Sequence, residues 1–592
     1  MACVNCGMRH FLFALFLLSG LASQAQPILT AYETSGGKES FTYEAGIRYC
    51  QQLDSLSPYV KLFSYGSSDA GRPIHVLVYD ASQDFNPTTD KEVILINNAI
   101  HPGEPDGVEA SLMLLRDLSL DSSRRKRWSN VRLIVIPFYN IGGALNRNSH
   151  SRANQVGPEA YGFRGNAKNL DLNRDFIKAD AQNTFAFYTI FHTWKPHVFM
   201  DTHVSNGADY QYTMTLIHSQ NEKYGPQMDR LIENFFIPNL YNGMYKRGME
   251  MVPYVNVHGV APDSGIHAFF ETPRYSNGYV AMWDCISLVS ETHMLKPFDQ
   301  RVKATYALLE ELIQTTSTMH PSRAKEKEKQ GRALALKRGR FLQTVKWKPM
   351  QYTPHFPSSP FAHPDSLLFK GYEAGYKKSE VSGLPRLYYD RSKPFQKKIA
   401  YHDKFVPDLM VRVPKAYYVP AQWTAVTERL KANGIALHQL EKDSLVVTEV
   451  YYIDSFGTST EAYESHYVHS GTKVSAYPDS VTLHAGDYLV YVEAENLNFL
   501  VNVLEPIAPD SYFNWNFFDG ILQQKEWFSA YVFEDIAAQM LQEDPELKKR
   551  FERIKNNNPD FANSSFEQLY FIYRNSPYYE RTHRRYPVIP LH

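Results

Sequence analysis

The sequence predicts an α/β fold for the first half of the chain and a mainly β region for much of the second half. In the first half, apolar strand-like runs lead directly into polar residues, and the first of them is followed by the helix-like segment 108–118. This succession of strand and helix is typical of an α/β sheet. In the second half, residues 445–452 and 488–492 have the β-branched and aromatic composition of strands.

The first apolar run, residues 93–96, leads into a turn that carries His101 and Glu104. Open α/β sheets place their functional groups at the carboxyl ends of strands, which is where this turn is expected. A neutral imidazole and a carboxylate three residues apart can hold one metal ion. Pro102 and Gly103 favour a tight turn, so the two ligands need little reorganisation.

The second apolar run, residues 196–203, ends at His203. With His101 and Glu104, this residue would complete a two-histidine, one-carboxylate zinc site that leaves one position open for water. The third run ends at the carboxylate of Glu291. Because Glu291 follows the apolar run 285–289, we expect partial burial to raise the pKa of this carboxyl toward the range that suits a general base.

Between Glu104 and His203 lie Arg152, Arg164 and an Asn-Arg pair. In this order the motifs resemble those of the zinc metallocarboxypeptidase family, the carboxypeptidase A-like peptidases. That family has His-x-x-Glu, an arginine, an Asn-Arg pair, a lone histidine after a strand and a general-base glutamate. The resemblance covers about residues 30–315, and five ordered motifs are far more specific than any one of them.

The resemblance implies a catalytic domain with a mixed β-sheet flanked by helices, and one Zn²⁺ per chain. His101, Glu104 and His203 match the zinc ligands of the family, and Glu291 matches its general base. Bound zinc acidifies water and polarises a carbonyl, and a carboxylate nearby can take the proton of the water and pass it to the leaving amine.

The other matched residues are expected to contact the substrate. Asn173 and Arg174 match the pair that binds the terminal carboxylate, which a guanidinium recognises through two hydrogen bonds. A second guanidinium polarises the scissile carbonyl, because it supplies a charge that never deprotonates. The family spacing favours Arg152 for this role, and Arg164 is the second candidate.

The chain departs from the family pattern at three places, the first of which is the turn 138–143, which resembles the Asn-Pro-Asp-Gly turn of the family only loosely. Asn173 and Arg174 are followed by Asp175, where a second asparagine is more common. Tyr275 and Tyr279 are both candidates for the mobile tyrosine of the family, and their spacing to the catalytic glutamate is shorter than the family pattern. The geometry of the carboxylate pocket and the identity of the tyrosine therefore stay open at the level of the sequence.

The resemblance implies a hydrolase, namely a zinc metalloprotease that acts as a carboxypeptidase on C-terminal peptide bonds. It also implies that the protein is a secreted bacterial member of the family with a C-terminal accessory region. One alternative is a related zinc amidohydrolase, either an acylase acting on N-acyl amino acids or an amidase acting on cell-wall peptides. An alternative of another class is a non-catalytic binding protein on the same scaffold. The complete set of ligands and Glu291 argue against the binding protein.

Charge and the N-terminus limit the partners and the location of the protein. The formal net charge of the 592 residues is −1, which argues against nucleic acid or an anionic membrane as the main partner. Residues 1–25 are predicted to be a signal peptide, because a basic start precedes the apolar run 11–22 and a small-x-small cleavage site. We therefore expect a secreted or periplasmic protein with no membrane span in the mature chain.

The predicted domains are a catalytic domain over 26–320, a charged linker over 321–344 and an accessory region over 345–592. The accessory region is predicted to be β-rich to about residue 505 and then aromatic and helical. All catalytic motifs precede residue 300, so we predict that the accessory region contributes no catalytic group. A chain that ends near Ser322 would then retain activity.

Three features have both a functional and a structural interpretation. The basic segment 323–340 is a partner site or, as we favour, a solvated linker or exposed helix. The aromatic residues 513–518 form a ligand platform or, as we favour, pack between domains. Cys50 and Cys285 are predicted to be two free buried thiols rather than a disulfide.

Overall fold

The computed structural model describes residues 28–339, 341–350 and 365–592. The predicted signal peptide lies outside these residues. Within the described ranges, no helix is both long enough and apolar enough to cross a membrane.

The strands of the first half form one large sheet and a short hairpin. The strands are β1 Val60–Ser67, β2 Pro73–Asp80, β3 Glu92–Asn97, β4 Val131–Ile136, β5 Val198–Ser205, β6 Met214–His218, β7 Met251–Pro253, β8 Asn256–Val257, β9 Ile266–His267 and β10 Ile286–His293. Eight of them form the large sheet, in the order β1-β2-β4-β3-β5-β10-β6-β7, and β8 and β9 form the hairpin.

The centre of the large sheet brings three parallel strands together. β3, β5 and β10 are neighbours and run in the same direction, whereas β1, β2 and β6 are antiparallel to adjacent strands. Every residue of β3, β4 and β5 is buried, as expected of central strands with continuous apolar runs. The predicted mixed α/β sheet is confirmed, and the carboxyl ends of its three motif-bearing strands meet at one edge.

Helices flank this sheet and connect its strands. They are α1 Ala31–Thr34, α2 Tyr43–Leu56, α3 Asp106–Leu120, α4 Ser122–Arg127, α5 Ile141–Leu145, α6 Gln182–Trp194, α7 Pro226–Leu231, α8 Ile237–Lys246, α9 Ser276–Ala281, α10 Phe298–Met319 and α11 Pro321–Lys337. Helix α3 packs against α10, and α6 packs against β1. The helix predicted over 108–118 is confirmed as α3, which begins directly after the turn that carries His101 and Glu104.

The second half is rich in β-structure up to about residue 491 and helical near its end. Its strands are β11 Leu342–Pro349, β12 Asp365–Lys378, β13 Pro385–His402, β14 Phe405–Arg412, β15 Ala416–Val419, β16 His438–Gln439, β17 Ser444–Thr458, β18 His469–Leu483, β19 Tyr488–Tyr491 and β20 Ile589–Leu591. Its helices are α12 Thr424–Ala432, α13 Leu497–Leu504, α14 Ala530–Glu543, α15 Pro545–Asn557, α16 Pro559–Ala562 and α17 Ser565–Arg574.

The two halves are joined by a sheet and by a common core. Strand β13 pairs with β9, so the long hairpin β12–β13 extends the short hairpin β8–β9 of the first half. Residues 417–518 contribute side chains to the same hydrophobic cluster as the large sheet. In that cluster, the rings of Trp283 and Phe499 stack with their centroids 5.2 Å apart. The domain boundaries stay a prediction, but the accessory region is packed onto the catalytic region.

The three ambiguous features have structural explanations. The basic segment predicted as a linker forms helix α11, and Arg332 in it is buried and pairs with Asp284 at 2.8 Å. Phe513 and Trp515 are fully buried, as the packing interpretation predicts. The two cysteines of the described chain are buried and unpaired.

Candidate active site

The turn between β3 and α3 fixes the first two candidate ligands. His101 and Glu104 are both buried, and the backbone N–H of Glu104 donates to the carbonyl of His101 at 2.9 Å. Gly103 is needed here because a Cβ atom at this position would lie 2.6 Å from the side chain of Arg152. The absence of that atom lets Arg152 lie directly beside the turn.

His203 reaches the same point from strand β5. Its Nδ1 atom lies 3.1 Å from Oε2 of Glu104, and Nδ1 of His101 lies 3.4 Å from the other oxygen of that carboxylate. Two ligands of one tetrahedral zinc ion are separated by about 3.3 Å when each bond is about 2.0–2.1 Å. The ligand atoms of all three residues lie within 4.8 Å of one another. The arrangement therefore fits a metal ion of the size of zinc.

Each candidate histidine ligand has a carboxylate behind it. Nε2 of His101 lies 2.9 Å from Asp171, and Nε2 of His203 lies 3.0 Å from Asp201. The hydroxyl of Ser276 donates to Asp201 at 2.5 Å and helps to hold this carboxylate. Carboxylates in this position fix the ring orientation of metal-binding histidines and make them better ligands.

The charges around the three residues favour a bound cation. Although burial raises it, the pKa of Glu104 is held well below its usual value by Arg152 and His101. Burial lowers the pKa of His203, but Asp201 and Glu104 outweigh burial and raise it well above the usual value. The same negative groups that hold a proton on His203 would hold a metal ion in its place.

Glu291 lies on strand β10, next to β5, and is the register partner of His203. Burial, followed by the nearby carboxylate of Glu104, raises the pKa of Glu291 to about 8, even though His203 opposes the shift. A carboxyl with a pKa near neutrality can both take and return a proton. Its position in the same cavity as the three candidate ligands is the one expected from the sequence.

The two candidate arginines occupy different positions. Arg152 donates to Glu104 at 2.9 Å and to Gln155 at 2.6 Å, and its side chain is mostly buried. Arg164 is more exposed and donates to Asp171 at 2.7 Å, while its Nη1 atom lies 3.3 Å from Nδ1 of His101. Arg164 therefore extends over the candidate metal position, whereas Arg152 forms an ion pair with the candidate ligand Glu104.

Asn173 and Arg174 line the same cavity as the candidate ligands. The side-chain oxygen of Asn173 accepts a hydrogen bond from the backbone N–H of Ser276 at 2.9 Å. The guanidinium of Arg174 lies 4.4 Å from the ring centre of Tyr275, which also lines the cavity. The other candidate, Tyr279, is fully buried away from the cavity and donates to Asn433 at 2.6 Å, so it is excluded as a capping residue.

The cavity has a volume of about 430 Å³ and joins the candidate ligands, Glu291 and the Asn-Arg pair. Every residue that lines it precedes position 295. Sequence reasoning missed Asp171, Asp201 and the wall residues Tyr254 and Phe269. Asp201 had a readable signal, because it stands two residues before His203 on a strand and therefore on the same face.

The sequence of the chain is similar to those of known carboxypeptidases. Residues 28–224 match the family model described as zinc carboxypeptidase. "Carboxypeptidase 2" of Trichophyton tonsurans is 22% identical over 498 residues, which cover 81% of this chain and 84% of that protein. "Probable carboxypeptidase 2" of Arthroderma benhamiae is also 22% identical, with 81% and 85% covered.

Similar solved structures cover about half of the chain. A metallo-carboxypeptidase from Burkholderia cenocepacia has a TM-score of 0.37 and 16% identity, and covers 47% of this chain and 70% of that chain. Carboxypeptidase A from Helicoverpa armigera has a TM-score of 0.34 and 16% identity, with 48% and 73% covered.

The similarity to zinc carboxypeptidases thus rests on the family-model match to residues 28–224 and on relatives that are named carboxypeptidases. These findings support a metallocarboxypeptidase as the class of the protein. The relatives named above are fungal, so the predicted bacterial origin is not supported by them.

Proposed function

We propose that the protein is a zinc-dependent carboxypeptidase that removes C-terminal residues from peptides. His101, Glu104 and His203 hold one zinc ion in this proposal, and Glu291 is the general base. The observation that carries the proposal is the single cavity shared by these four residues and the Asn-Arg pair. The predicted signal peptide adds secretion, or export to a periplasm, as part of the same proposal.

The chemistry follows from the positions of the side chains. A zinc ion in this site would lower the pKa of a water molecule and polarise the scissile carbonyl. Glu291 takes the proton of the attacking water and then delivers it to the nitrogen of the leaving amine. Its raised pKa favours the second of these transfers, because the protonated carboxyl persists near neutral pH.

We assign the two arginines to different roles. Arg164 polarises the carbonyl, because its Nη1 atom faces the candidate metal position beside His101. Arg152 positions Glu104 through an ion pair of 2.9 Å. This division reverses the order of preference that the family spacing gives, since the guanidinium of Arg152 is already used by Glu104 and Gln155.

Arg174 and Asn173 bind the terminal carboxylate of the substrate in this proposal. The Arg174 guanidinium lies against Tyr275 at the cavity wall, which limits its motion and leaves its edge available for a carboxylate. A planar guanidinium and a carboxylate form two parallel hydrogen bonds, and an uncharged amide adds a further donor.

The test compares a peptide that has a free C-terminus with the same peptide as its C-terminal amide. The free acid should be cleaved and the amide should be a poor substrate. Arg174→Ala should raise KM strongly for the acid and barely change the slow cleavage of the amide, because charge-assisted bonds worth about 1.5–3 kcal/mol are lost. Arg147→Ala, outside the cavity, serves as the control.

Three outcomes would favour the alternatives. Equal cleavage of acid and amide would indicate an amidase or an endo-acting enzyme. Cleavage of N-acyl amino acids without any cleavage of peptides would indicate an acylase, and zinc binding without hydrolysis of either class would indicate a binding protein.

A further inference from the structure

A second cavity, with a volume of about 260 Å³, lies between the two halves of the chain. The first half contributes Lys223 and residues 270–273 to its wall. The second half contributes residues 343–347 of strand β11 and the residues Asn498 and Asn502 of helix α13. No described residue lines both this cavity and the candidate active site, so the second cavity is a separate candidate site.

An ion pair between Lys223 and Glu271 forms the polar part of the wall of the second cavity. Nζ of Lys223 lies 2.6 Å from Oε1 of Glu271 and also donates to the backbone carbonyl of that residue. The same ammonium group lies 4.1 Å from the ring centre of Phe270, which helps to hold it in place. Because both members of the ion pair line the cavity, a small molecule inside it can interact with both.

Each member of this ion pair lacks an interaction that the described chain does not supply. The second oxygen of Glu271, Oε2, is buried and has no hydrogen-bond partner among the described residues. A buried carboxylate oxygen without a donor is destabilising. Burial lowers the pKa of Lys223 although Glu271 opposes the shift, so the positive charge of the ammonium group is not fully balanced. The ion pair therefore has room for one further hydrogen-bond donor and one further negative charge.

The rest of the second cavity is mainly apolar. Its apolar lining includes Phe270, Met282, Val345 and Trp347. Sites for small molecules usually combine such apolar walls with a few polar groups that fix the orientation of the ligand. At about 30 Å³ for each water molecule, the volume corresponds to about nine waters, so the cavity suits a small metabolite rather than a peptide.

We propose that the second cavity binds a free amino acid with an apolar side chain. Its ammonium group donates to Oε2 of Glu271, its carboxylate accepts the third N–H of Lys223, and its side chain packs against Met282 and Trp347. A zwitterion supplies both of the interactions that the ion pair lacks and adds no net charge. An amine or a carboxylic acid would supply one of them and leave an unbalanced charge in a largely apolar space, which is unfavourable.

The segment 269–275 connects the second cavity to the candidate active site. Phe269 and Tyr275 line the candidate active site, whereas residues 270–273 line the second cavity. Tyr275 also lies against Arg174, the proposed carboxylate-binding residue. A bound amino acid would therefore hold the segment that supports this arginine. An amino acid is also the product of the proposed reaction; this link rests on the proposed function, but the binding site does not.

The experiment measures the binding of L-leucine by equilibrium dialysis. It uses the full chain with Arg174→Ala, so that the candidate active site lacks its proposed carboxylate-binding group. We expect one leucine per chain. Isocaproate, which lacks the ammonium group of leucine, and isoamylamine, which lacks its carboxylate, should each bind at least about tenfold more weakly, because one charge-assisted hydrogen bond is lost. Since no hydrolysis is measured, failure of the proposed function would not change this result.

Two further substitutions in the same background test where the leucine binds. Glu271→Gln should weaken binding at least about tenfold, and Thr344→Trp, which fills the cavity from strand β11, should abolish binding while the far-ultraviolet dichroism stays unchanged. The matched control is Glu109→Gln, a buried glutamate outside both cavities, which should bind leucine normally. Absence of leucine binding in the Arg174→Ala chain would overturn the proposal. So would equal binding of the three compounds, or unchanged binding in a folded Thr344→Trp.

Discussion

Replacement of Glu291 by glutamine separates its proposed chemical role from any structural one. The side chains have nearly the same shape, so the cavity and the neighbouring strand β5 should be preserved. Glutamine cannot take a proton from water. Because Glu291 is not among the three candidate ligands, Glu291→Gln should keep its zinc.

The expected loss of turnover is large. General acid–base catalysis contributes about 10²–10⁴ to the rate, which corresponds to about 3–5 kcal/mol of activation free energy. The upper part of this range is expected here, because the carboxyl is partly buried in the cavity and its pKa is raised to about 8. Such a group is poised to act as both base and acid, so both transfers are lost together.

The assay measures kcat on a peptide with a free C-terminus, with zinc content determined on the same samples. Glu505→Gln is the matched control, because Glu505 is also a buried glutamate with a pKa raised to about 7, and it accepts a hydrogen bond from Tyr417 outside the cavity. The control should retain normal turnover. A kcat of Glu291→Gln within about tenfold of the unaltered enzyme would refute the assignment of the base. Loss of zinc would instead indicate that Glu291 supports the metal site.

Three further predictions concern the same site. Arg164→Ala should lower kcat by about 10²–10³ with zinc retained, whereas Arg152→Ala should mainly weaken zinc binding. If kinetics and metal titrations show the opposite pattern, Arg152 polarises the carbonyl, as the family spacing predicts. Asp201→Asn should weaken zinc affinity by about 10–100-fold in a competition assay, because it orients His203; unchanged affinity would remove that role. In metal-free protein, Glu291 stays protonated to a higher pH when folded than when unfolded, so its contribution to stability falls as pH rises from about 4.5 to about 8. The free energy of unfolding of Glu291→Gln, measured by chemical denaturation relative to that of the unaltered chain, should therefore increase by on the order of 4 kcal/mol between pH 4.5 and 8. A difference that does not change with pH would contradict the raised pKa.

The fold of the first half and the candidate metal residues could be predicted because local sequence determines them. Strand β3 is a continuous apolar run, and a central parallel strand is the main structure that such a run forms. The turn after it carries two ligands only three residues apart. His203 and Glu291 lie at equivalent heights on adjacent parallel strands. The carboxyl-end rule predicts that such residues lie at one edge of the sheet, and the resemblance to zinc metallocarboxypeptidases supplied their expected roles.

The choice between alternatives at the site required packing that the sequence does not show. Tyr275 and Tyr279 stand four residues apart, but only the first lines the cavity. Tyr279 enters the aromatic core and donates to Asn433, a residue more than 150 positions away. The roles of Arg152 and Arg164 likewise depend on the carboxylate with which each forms an ion pair, Glu104 for the first and Asp171 for the second. Spacing along the chain does not determine these pairs.

The accessory region is where sequence reasoning was least informative. Composition predicted β-structure there, and β17 and β19 confirm the two strands that were expected. The pairing of β13 with β9 is non-local, and so is the contact between the imidazole rings of His258, His267 and His402. No local pattern marks a histidine for such a contact, because partly exposed histidines are common on protein surfaces.

Asp510 connects the accessory half to the wall beside the proposed carboxylate-binding pair, although the accessory half supplies no residue to the candidate active-site cavity. Its carboxylate accepts hydrogen bonds from the backbone and the guanidinium of Arg274, at 2.8 and 2.7 Å. Arg274 precedes Tyr275, whose ring lies against Arg174. Removal of the accessory half would therefore release the wall that holds the proposed carboxylate-binding arginine.

This arrangement changes the expectation for a chain that ends near Ser322. The sequence alone predicted retained activity, whereas the shared core predicts that the truncated chain loses peptide hydrolysis. Asp510→Asn in the full-length chain is the milder test. Loss of charge-assisted bonds worth about 1.5–3 kcal/mol should raise KM for a free-acid peptide by about ten- to a hundredfold at most, with zinc content and kcat little changed. Unchanged KM in Asp510→Asn, together with an active truncated chain, would mean that the accessory half only covers the catalytic region. A raised KM for the acid but not for the amide would link Asp510 to carboxylate recognition, because general unfolding would weaken cleavage of both peptides.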